Sequence, residues 1–261
     1  MAHLPAGYRL IEKELTGSTN ADCLQAAVEG EPGGLWIRAR TQTAGRGSRG
    51  RNWVSDPGNL FASLLLDVPA DAKNLATLTF VTSLAVADSV DVMTAELAAR
   101  HIERPGVSLK WPNDVLLEGR KLAGILLESH RIGDRSVVII GIGVNCVSHP
   151  SETNYPATSL RKAGFELGAA QVLEALAGQF HKRMAQWDWG RGFASIRADW
   201  LVRAAGVGEE IETRIGGETK RGVFETIDET GLLILRAASG GRQEISVADI
   251  FLQGSREAVV G

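Results

Sequence analysis

The sequence predicts an α+β fold, a mixed and largely antiparallel sheet backed by helices, followed by a small β-rich unit. Three observations predict it. Helix and strand signals alternate over most of the chain, as in a layered fold rather than a repeat or a bundle. Four strand segments between Val107 and Val144 follow one another with only short turns between them, and such connections suit antiparallel hairpins rather than crossovers. From about residue 207 the helices cease and short strand-like pieces separated by glycine pairs take over, the texture of a small β-barrel.

Taken in order, Ser18 and Thr19 are N-cap candidates for a helix over Asn20 to Val28, because their hydroxyls can accept from the first free amides; Gly30 to Gly34 ends it. Leu35 to Thr41 reads as a strand. Beyond a loop rich in Gly and Arg, Leu60 to Val68 reads as a buried strand and Leu75 to Arg100 as a helix packed on the sheet. Val107 to Trp111, Val115 to Leu117, Lys121 to Glu128 and Val137 to Val144 are the four close-spaced strands, with turns at Glu118 to Arg120 and Ile132 to Asp134. Helices return at Ala169 to Trp187 and Gly192 to Ala204. Glu209 to Ile215, Lys220 to Thr226, Gly231 to Leu235 and Arg242 to Val247 make the last unit, broken at Gly216-Gly217, Asp228 to Gly231 and Gly240-Gly241. The expected domains are therefore 1–206 and 207–261.

The chain is 44% hydrophobic and 23% charged, enough for a buried core. A net charge of -3 argues against binding nucleic acid by bulk charge, so any anion site must be local. The two cysteines, Cys23 and Cys146, have neither disulfide-framework nor zinc spacing. No basic start followed by an apolar run, and no apolar stretch of roughly 18 residues, marks a secreted or membrane protein. The cytoplasm is the expected compartment.

GRGSRGRNW, Gly45 to Trp53, is the most unusual segment. Its glycines allow amides to converge on phosphate oxygens while arginines neutralise them, and Trp53 can stack on a base; a solvated basic loop has the same composition. Gly45, Gly47 and Gly50 satisfy G-x-G-x-x-G, but Ser55 to Gly58 is loop chemistry where a dinucleotide fold needs a helix. KWPNDV, Lys110 to Val115, interrupts a strand and aims a lysine, an amide and a carboxylate off its end; a tight turn around a buried Trp111 fits equally. RKLAGILLE places Lys121 at the head of an apolar strand, either as a solvated end or pointing into a pocket. GIGVN, Gly141 to Asn145, lets a ligand approach a strand closely or marks a bulge. His3, His101, His130, His149 and His181 show no metal spacing, and Trp187, Trp189 and Trp200 suit a core or a domain interface.

GSTN at Gly17 to Asn20, QTAGRGSRGRNW at Gln42 to Trp53, KWPNDV, RKLAGILLE and GIGVN, in that order and spacing, resemble the biotin protein ligase family over about Thr16 to Asn145. The β-rich end resembles it in outline. The resemblance implies a sheet of the class II synthetase kind and an SH3-like C-terminal barrel. It implies biotin contacts at Ser18, Thr19, Asn20, Gln42 and Lys121, with Gly45, Arg46 and Gly47 in a loop closing over ligand. ATP and adenylate contacts fall on Arg46, Gly47, Ser48, Arg49, Arg51, Trp53, Asn113 and Asn145, with Trp53 packing on adenine. Lys121, Arg46 and Lys110 would serve the chemistry, with Asp114 nearby. The family's loop often has a basic residue where this chain has Ser48.

The activity implied is ATP-dependent conversion of biotin to biotinyl-5′-AMP, then transfer to a lysine of a biotin carboxyl carrier protein domain of acetyl-CoA carboxylase or a related carboxylase. ATP and Mg²⁺ would be needed, with no tightly bound cofactor and with metal ligands unspecified. No G-x-S-x-G elbow, Walker motif or kinase motif competes, as expected where no enzyme nucleophile is needed. A lipoate ligase and a noncatalytic binder of biotin or its adenylate are the alternatives. Only 16 residues precede GSTN, too few for a helix-turn-helix reader; neither DNA nor a membrane is an expected partner, and a homodimer is compatible with the sequence.

Overall fold

The computed structural model describes residues 3–98, 106–151, 153, 155–215, 218–246 and 249–252. A first sheet contains β1 (Arg9–Thr16), β2 (Leu35–Gln42), β3 (Leu60–Asp67), β4 (Val107–Lys110), β5 (Asp114–Leu117), β6 (Arg120–Ile132) and β7 (Arg135–Val144), in the order β1-β2-β3-β7-β6-β5-β4. Only β1 and β2 run parallel. Their crossover is α1 (Thr19–Val28), and a parallel pair requires one. The remaining strands form the expected antiparallel run, turning tightly at Glu118 and Gly119 (φ 50° and 70°) and at Gly133 (φ 59°).

One face of this sheet carries α2 (Leu78–Ala98), α3 (Ala169–Trp187) and α4 (Phe193–Arg203); α1 covers part of the other. The helix expected from Leu75 begins with a single tight turn, Leu75–Thr77, after left-handed Asn74; its expected end at Arg100 and His101 lie outside the described residues. The stretch Leu75–Ala95 is long and apolar enough by composition to cross a membrane, yet its 18-residue apolar window is 67% buried, as befits a core helix, and its exposed side carries Asp91 and Val92. Its Thr82, Ser83 and Ser89 hydroxyls donate back to the carbonyls of Leu78, Phe80 and Val86, so they bring no unsatisfied groups into the core. Trp187 and Trp200 are buried as expected, donating to Thr77 Oγ1 and Ser83 Oγ at 2.9 and 3.2 Å.

The second sheet is antiparallel, with β8 (Glu210–Ile215), β9 (Glu218–Ile227), β10 (Leu233–Arg236), β11 (Arg242–Ile245) and β12 (Asp249–Leu252) in the order β11-β10-β9-β8-β12. It docks on the first unit: the Trp111 indole donates to Gly231 O at 3.0 Å, Gly231 abuts the Phe80 ring, and Arg197 donates to Ile227 O at 2.6 Å. The expected breaks at Gly216-Gly217 and the strand end at Val247 lie outside the described residues.

Three features differ from the sequence expectation. β1 is an extra strand, and β12 is another. β1 lies at the sheet edge with Glu12, Lys13 and Glu14 exposed, so no apolar alternation announces it. Ser18 is the N-cap of α1 by conformation but its hydroxyl makes no capping bond; instead the Thr19 amide donates to Gln42 Oε1 at 2.8 Å. The start of α1 is thereby tied to the end of β2.

Candidate active site

The segments singled out by sequence meet in one cavity of about 980 Å³ at the sheet, lined by Ser18, Thr19, Asn20, Gln42, Arg46, Gly47, Ser48, Arg51, Trp53, Lys110, Asn113, Lys121 and Asn145. Gly45 does not line it. A Cβ there would stand 2.5 Å from Ser55 Oγ and 2.6 Å from Trp53 O, so the absence of a side chain lets the loop close on itself. The Gly47 amide donates to Arg51 O at 2.7 Å around the single turn Ser48–Gly50. That turn is too short to be the helix of a dinucleotide-binding loop, as Ser55 to Gly58 foretold. Arg49 sits in the turn, with its side chain outside the described residues.

The returning loop lays the Trp53 indole against β6 and β7. A Cβ on Gly124 would come 2.7 Å from the ring, and one on Gly143 would overlap it. A Cβ on Gly141 would likewise overlap Asn20 Oδ1. The glycines of GIGVN thus admit the protein's own Trp53 and Asn20 while also lining the cavity. Trp53 Nε1 is buried without a hydrogen-bond partner. Replacing Gly143 with Ala should destabilise the fold by about 1–3 kcal/mol through overpacking. Urea unfolding measures this, and an unchanged midpoint would mean that the indole yields freely.

At the far end of the cavity Asp114 opens β5 beside two lysines. Lys121 Nζ is 2.6 Å from its Oδ1 and Lys110 Nζ is 3.7 Å from its Oδ2. Burial alone would raise the Asp114 pKa, but the charges of Lys121, Lys110 and Arg51 and the Lys121 hydrogen bond more than offset it, and the carboxyl is held below its ordinary value. Lys110 Nζ also stands 4.5 Å from the Tyr155 ring centroid, and Lys121 Nζ 5.5 Å from that of Trp53. The turn before β5 contains a cis Trp111–Pro112 bond. Asn113 Nδ2 donates to Ile125 O at 2.7 Å and Asn145 Nδ2 to Thr158 O at 3.0 Å, so both amides brace backbone while lining the cavity.

A chain of polar contacts forms the other end. Gln42 Nε2 donates to Ser55 Oγ at 3.1 Å, and its Oε1 accepts from Thr19. Ser63 Oγ lies 2.7 Å from Thr19 Oγ1 and 2.5 Å from Asn20 Oδ1. Asn20 Nδ2 then donates to Glu128 Oε2 at 2.6 Å, which also accepts from Arg46 at 2.8 Å. Sequence reading missed Ser63 and the use of Glu128. The signal for Ser63 was a lone hydroxyl in the buried run LFASLLL; Glu128 looked like the charged end of an apolar strand. It also missed Tyr155 and the contribution of Ser246, just after β11, and of Ile250 in β12.

Nothing offers a protein nucleophile of the thiol kind, since burial pushes Cys23 and Cys146 up to about 12. Among the described residues no group of three or more His, Cys, Asp or Glu is placed to hold a metal. What the cavity does offer is a polar end, an indole wall, and a cluster of cations around one carboxylate, suited to an anionic ligand with a flat apolar part.

Known proteins are similar to this chain in sequence and fold. The sequence model of the Biotin/lipoate A/B protein ligase family matches residues 14–145, and that of the Biotin protein ligase C terminal domain matches 206–253. A biotin--[acetyl-CoA-carboxylase] ligase of Paracoccus denitrificans is 42% identical over 246 residues, covering 92% of this chain and 98% of the relative. The enzyme of that name from Mycobacterium tuberculosis is 34% identical, covering 90% and 85%. The biotin protein ligase from Aquifex aeolicus in complex with biotin and ATP superposes with a TM-score of 0.76 at 26% identity, over 93% of this chain and 97% of that one. By the match over residues 14–145 and the identity to these relatives, the chain belongs to the Biotin/lipoate A/B protein ligase family.

Proposed function

We propose that this protein is a biotin protein ligase that uses ATP to convert biotin to biotinyl-5′-AMP and passes the biotinyl group to a lysine of a biotin carboxyl carrier protein domain, as in acetyl-CoA carboxylase. The observation that carries the reading is the joining of the polar end, Trp53 and the Lys110–Asp114–Lys121 cluster in one cavity. The polar groups of Ser18, Thr19, Asn20 and Gln42 suit the ureido ring of biotin. Lys121 faces the reacting groups. Arg46, Gly47, Ser48, Arg49 and Arg51 belong with the phosphates, and Asn113 and Asn145 with the nucleoside. Trp53 is the flat surface for adenine or for the fused rings of biotin.

In the first step a biotin carboxylate oxygen attacks the α-phosphorus of ATP and pyrophosphate leaves, so cations must oppose negative charge gathering on the phosphate. Mg²⁺ enters with ATP as part of the substrate, held by phosphates and water, as that ion commonly is. In the second step the carrier's lysine amine attacks the anhydride carbonyl, AMP leaves and the amine loses a proton. Biotin-dependent exchange of pyrophosphate into ATP tests the first step. Exchange with lipoate in place of biotin would favour a lipoate ligase, and no exchange with either acid would favour a noncatalytic binder.

We divide the chain at 206/207, supported by the turn to strands after α4 and by the C-terminal match from residue 206. The acidic net charge of -3 favours a role without DNA. The two free buried thiols suit the cytoplasm. A homodimer remains compatible with this reading.

Ser48 stands where the resemblance noted above often has a basic residue. Its Oγ and carbonyl accept from Arg51 at 3.1 and 3.3 Å, so the hydroxyl anchors a neighbouring arginine instead of supplying a charge. A hydrogen bond from a charged donor is worth about 1.5–3 kcal/mol. Ser48→Arg should therefore slow dissociation of preformed adenylate by roughly tenfold to a hundredfold. Rapid dilution into a trap measures the rate, and equal rates would mean that the other loop groups already hold the intermediate.

A further inference from the structure

Glu128 ends the apolar part of β6 with its side chain 23% exposed, and one of its oxygens serves two donors from distant parts of the chain. The first is Asn20 Nδ2, 108 residues away, in the polar end of the cavity; the second is the Arg46 guanidinium, 82 residues away, in the glycine-arginine loop. An amide presents donors on one side and an acceptor on the other, and its partners decide which side faces where. For Asn20 they do so from both sides, since its Nδ2 donates to a carboxylate and its Oδ1 lies against Ser63 Oγ, with Gly141 leaving the space beneath. The same oxygen ties down the loop at Arg46. At its other end the loop is tied to the same polar end through Ser55 and Gln42.

We propose that Glu128 is a positioning residue that holds the glycine-arginine loop and the biotin-recognising amide of Asn20 in one register. Its carboxylate fixes which face Asn20 presents to the cavity, and it keeps Arg46 over the same site. The proposal rests on the function given above for its biotin readout, but its loop readout is independent of that function. Replacing Glu128 with Gln keeps the shape and one acceptor while removing the charge that Arg46 pairs with. The pair is partly exposed, so the effect on the loop is expected at the low end for a charged hydrogen bond.

The test uses the full-length protein and trypsin, for which the loop supplies Arg46, Arg49 and Arg51 as cleavage sites. Under native conditions Glu128→Gln should be cut in this loop about three- to tenfold faster than the parent, without faster cutting elsewhere. Arg46→Gln should accelerate cleavage at Arg49 and Arg51 by the same factor, and the double variant should add nothing further. In pyrophosphate exchange, Glu128→Gln should raise the KM for biotin about tenfold, more than it lowers kcat. Parental loop protection in Arg46→Gln, or parental loop protection and KM in Glu128→Gln, would overturn the proposal. If Glu128→Gln is cut throughout the chain, its fold is lost and Arg46→Gln decides alone. Failure of the parent itself to catalyse biotin-dependent exchange would remove the proposed function and leave the loop result standing.

Discussion

Lys121→Ala is expected to slow formation of biotinyl-5′-AMP by about 10²-fold or more, the effect that removal of one preorganised donor at a developing charge typically has. The geometry gives the reason. Lys121 leaves the head of β6 with its Nζ 2.6 Å from buried Asp114 and 5.5 Å from the Trp53 ring centroid, so the ammonium is held between a carboxylate and an indole. A cation so fixed needs little reorganisation as charge develops on the phosphate. Single-turnover adenylate formation at saturating ATP and biotin measures the step without transfer or product release. An unchanged rate would reduce Lys121 to neutralising Asp114.

Asp114→Asn is expected to damage both stability and activity. Asp114 is 9% exposed and Lys110 8% exposed, so the substitution leaves two ammonium groups without their shared counter-charge, of which only Lys121, its side chain 25% exposed, has much contact with solvent. Breaking a buried charge cluster by removing one member costs about 3–5 kcal/mol. The pH dependence follows from the lowered Asp114 pKa. The folded carboxyl releases its proton more readily than the unfolded one, whose pKa is about 3.9. Its stabilising contribution is therefore complete above that value and fades as pH falls through the lower folded one. The stability gap between parent and Asp114→Asn should be widest near neutrality and should shrink in acid below about pH 4. A gap of equal size at pH 3 and pH 7 in urea unfolding would show that Asp114 acts by packing rather than by charge.

Much of the fold was legible because its strands and helices are strongly patterned. The run from Val107 to Val144 gave its antiparallel order through short turns alone, and α3 was read with its observed limits, Ala169–Trp187. β1 escaped because an edge strand with exposed Glu12, Lys13 and Glu14 carries the pattern of a solvated segment. β12 escaped because no glycine or proline turn marks Asp249–Leu252 off from the strand before it. In the site, the separate motifs were visible, and their convergence in one cavity agrees with the resemblance that linked them. The contact of Glu128 with Asn20 and Arg46 was not, since it joins segments 108 and 82 residues apart. Gly141 and Gly143 line the cavity, where the sequence reading allowed close approach, but the groups that need their space, Asn20 and Trp53, were hidden for a related reason: they come from other parts of the chain.

The central claim is that this one cavity activates biotin and delivers it to a carrier lysine. Incubation of the protein with ATP, Mg²⁺, biotin and a biotin carboxyl carrier domain, followed by intact-mass measurement of the carrier, tests it most directly. One biotinyl group per carrier is expected, dependent on ATP and abolished when the carrier's acceptor lysine is replaced. An unmodified carrier in the presence of active, folded protein, or modification by lipoate and not by biotin, would contradict it.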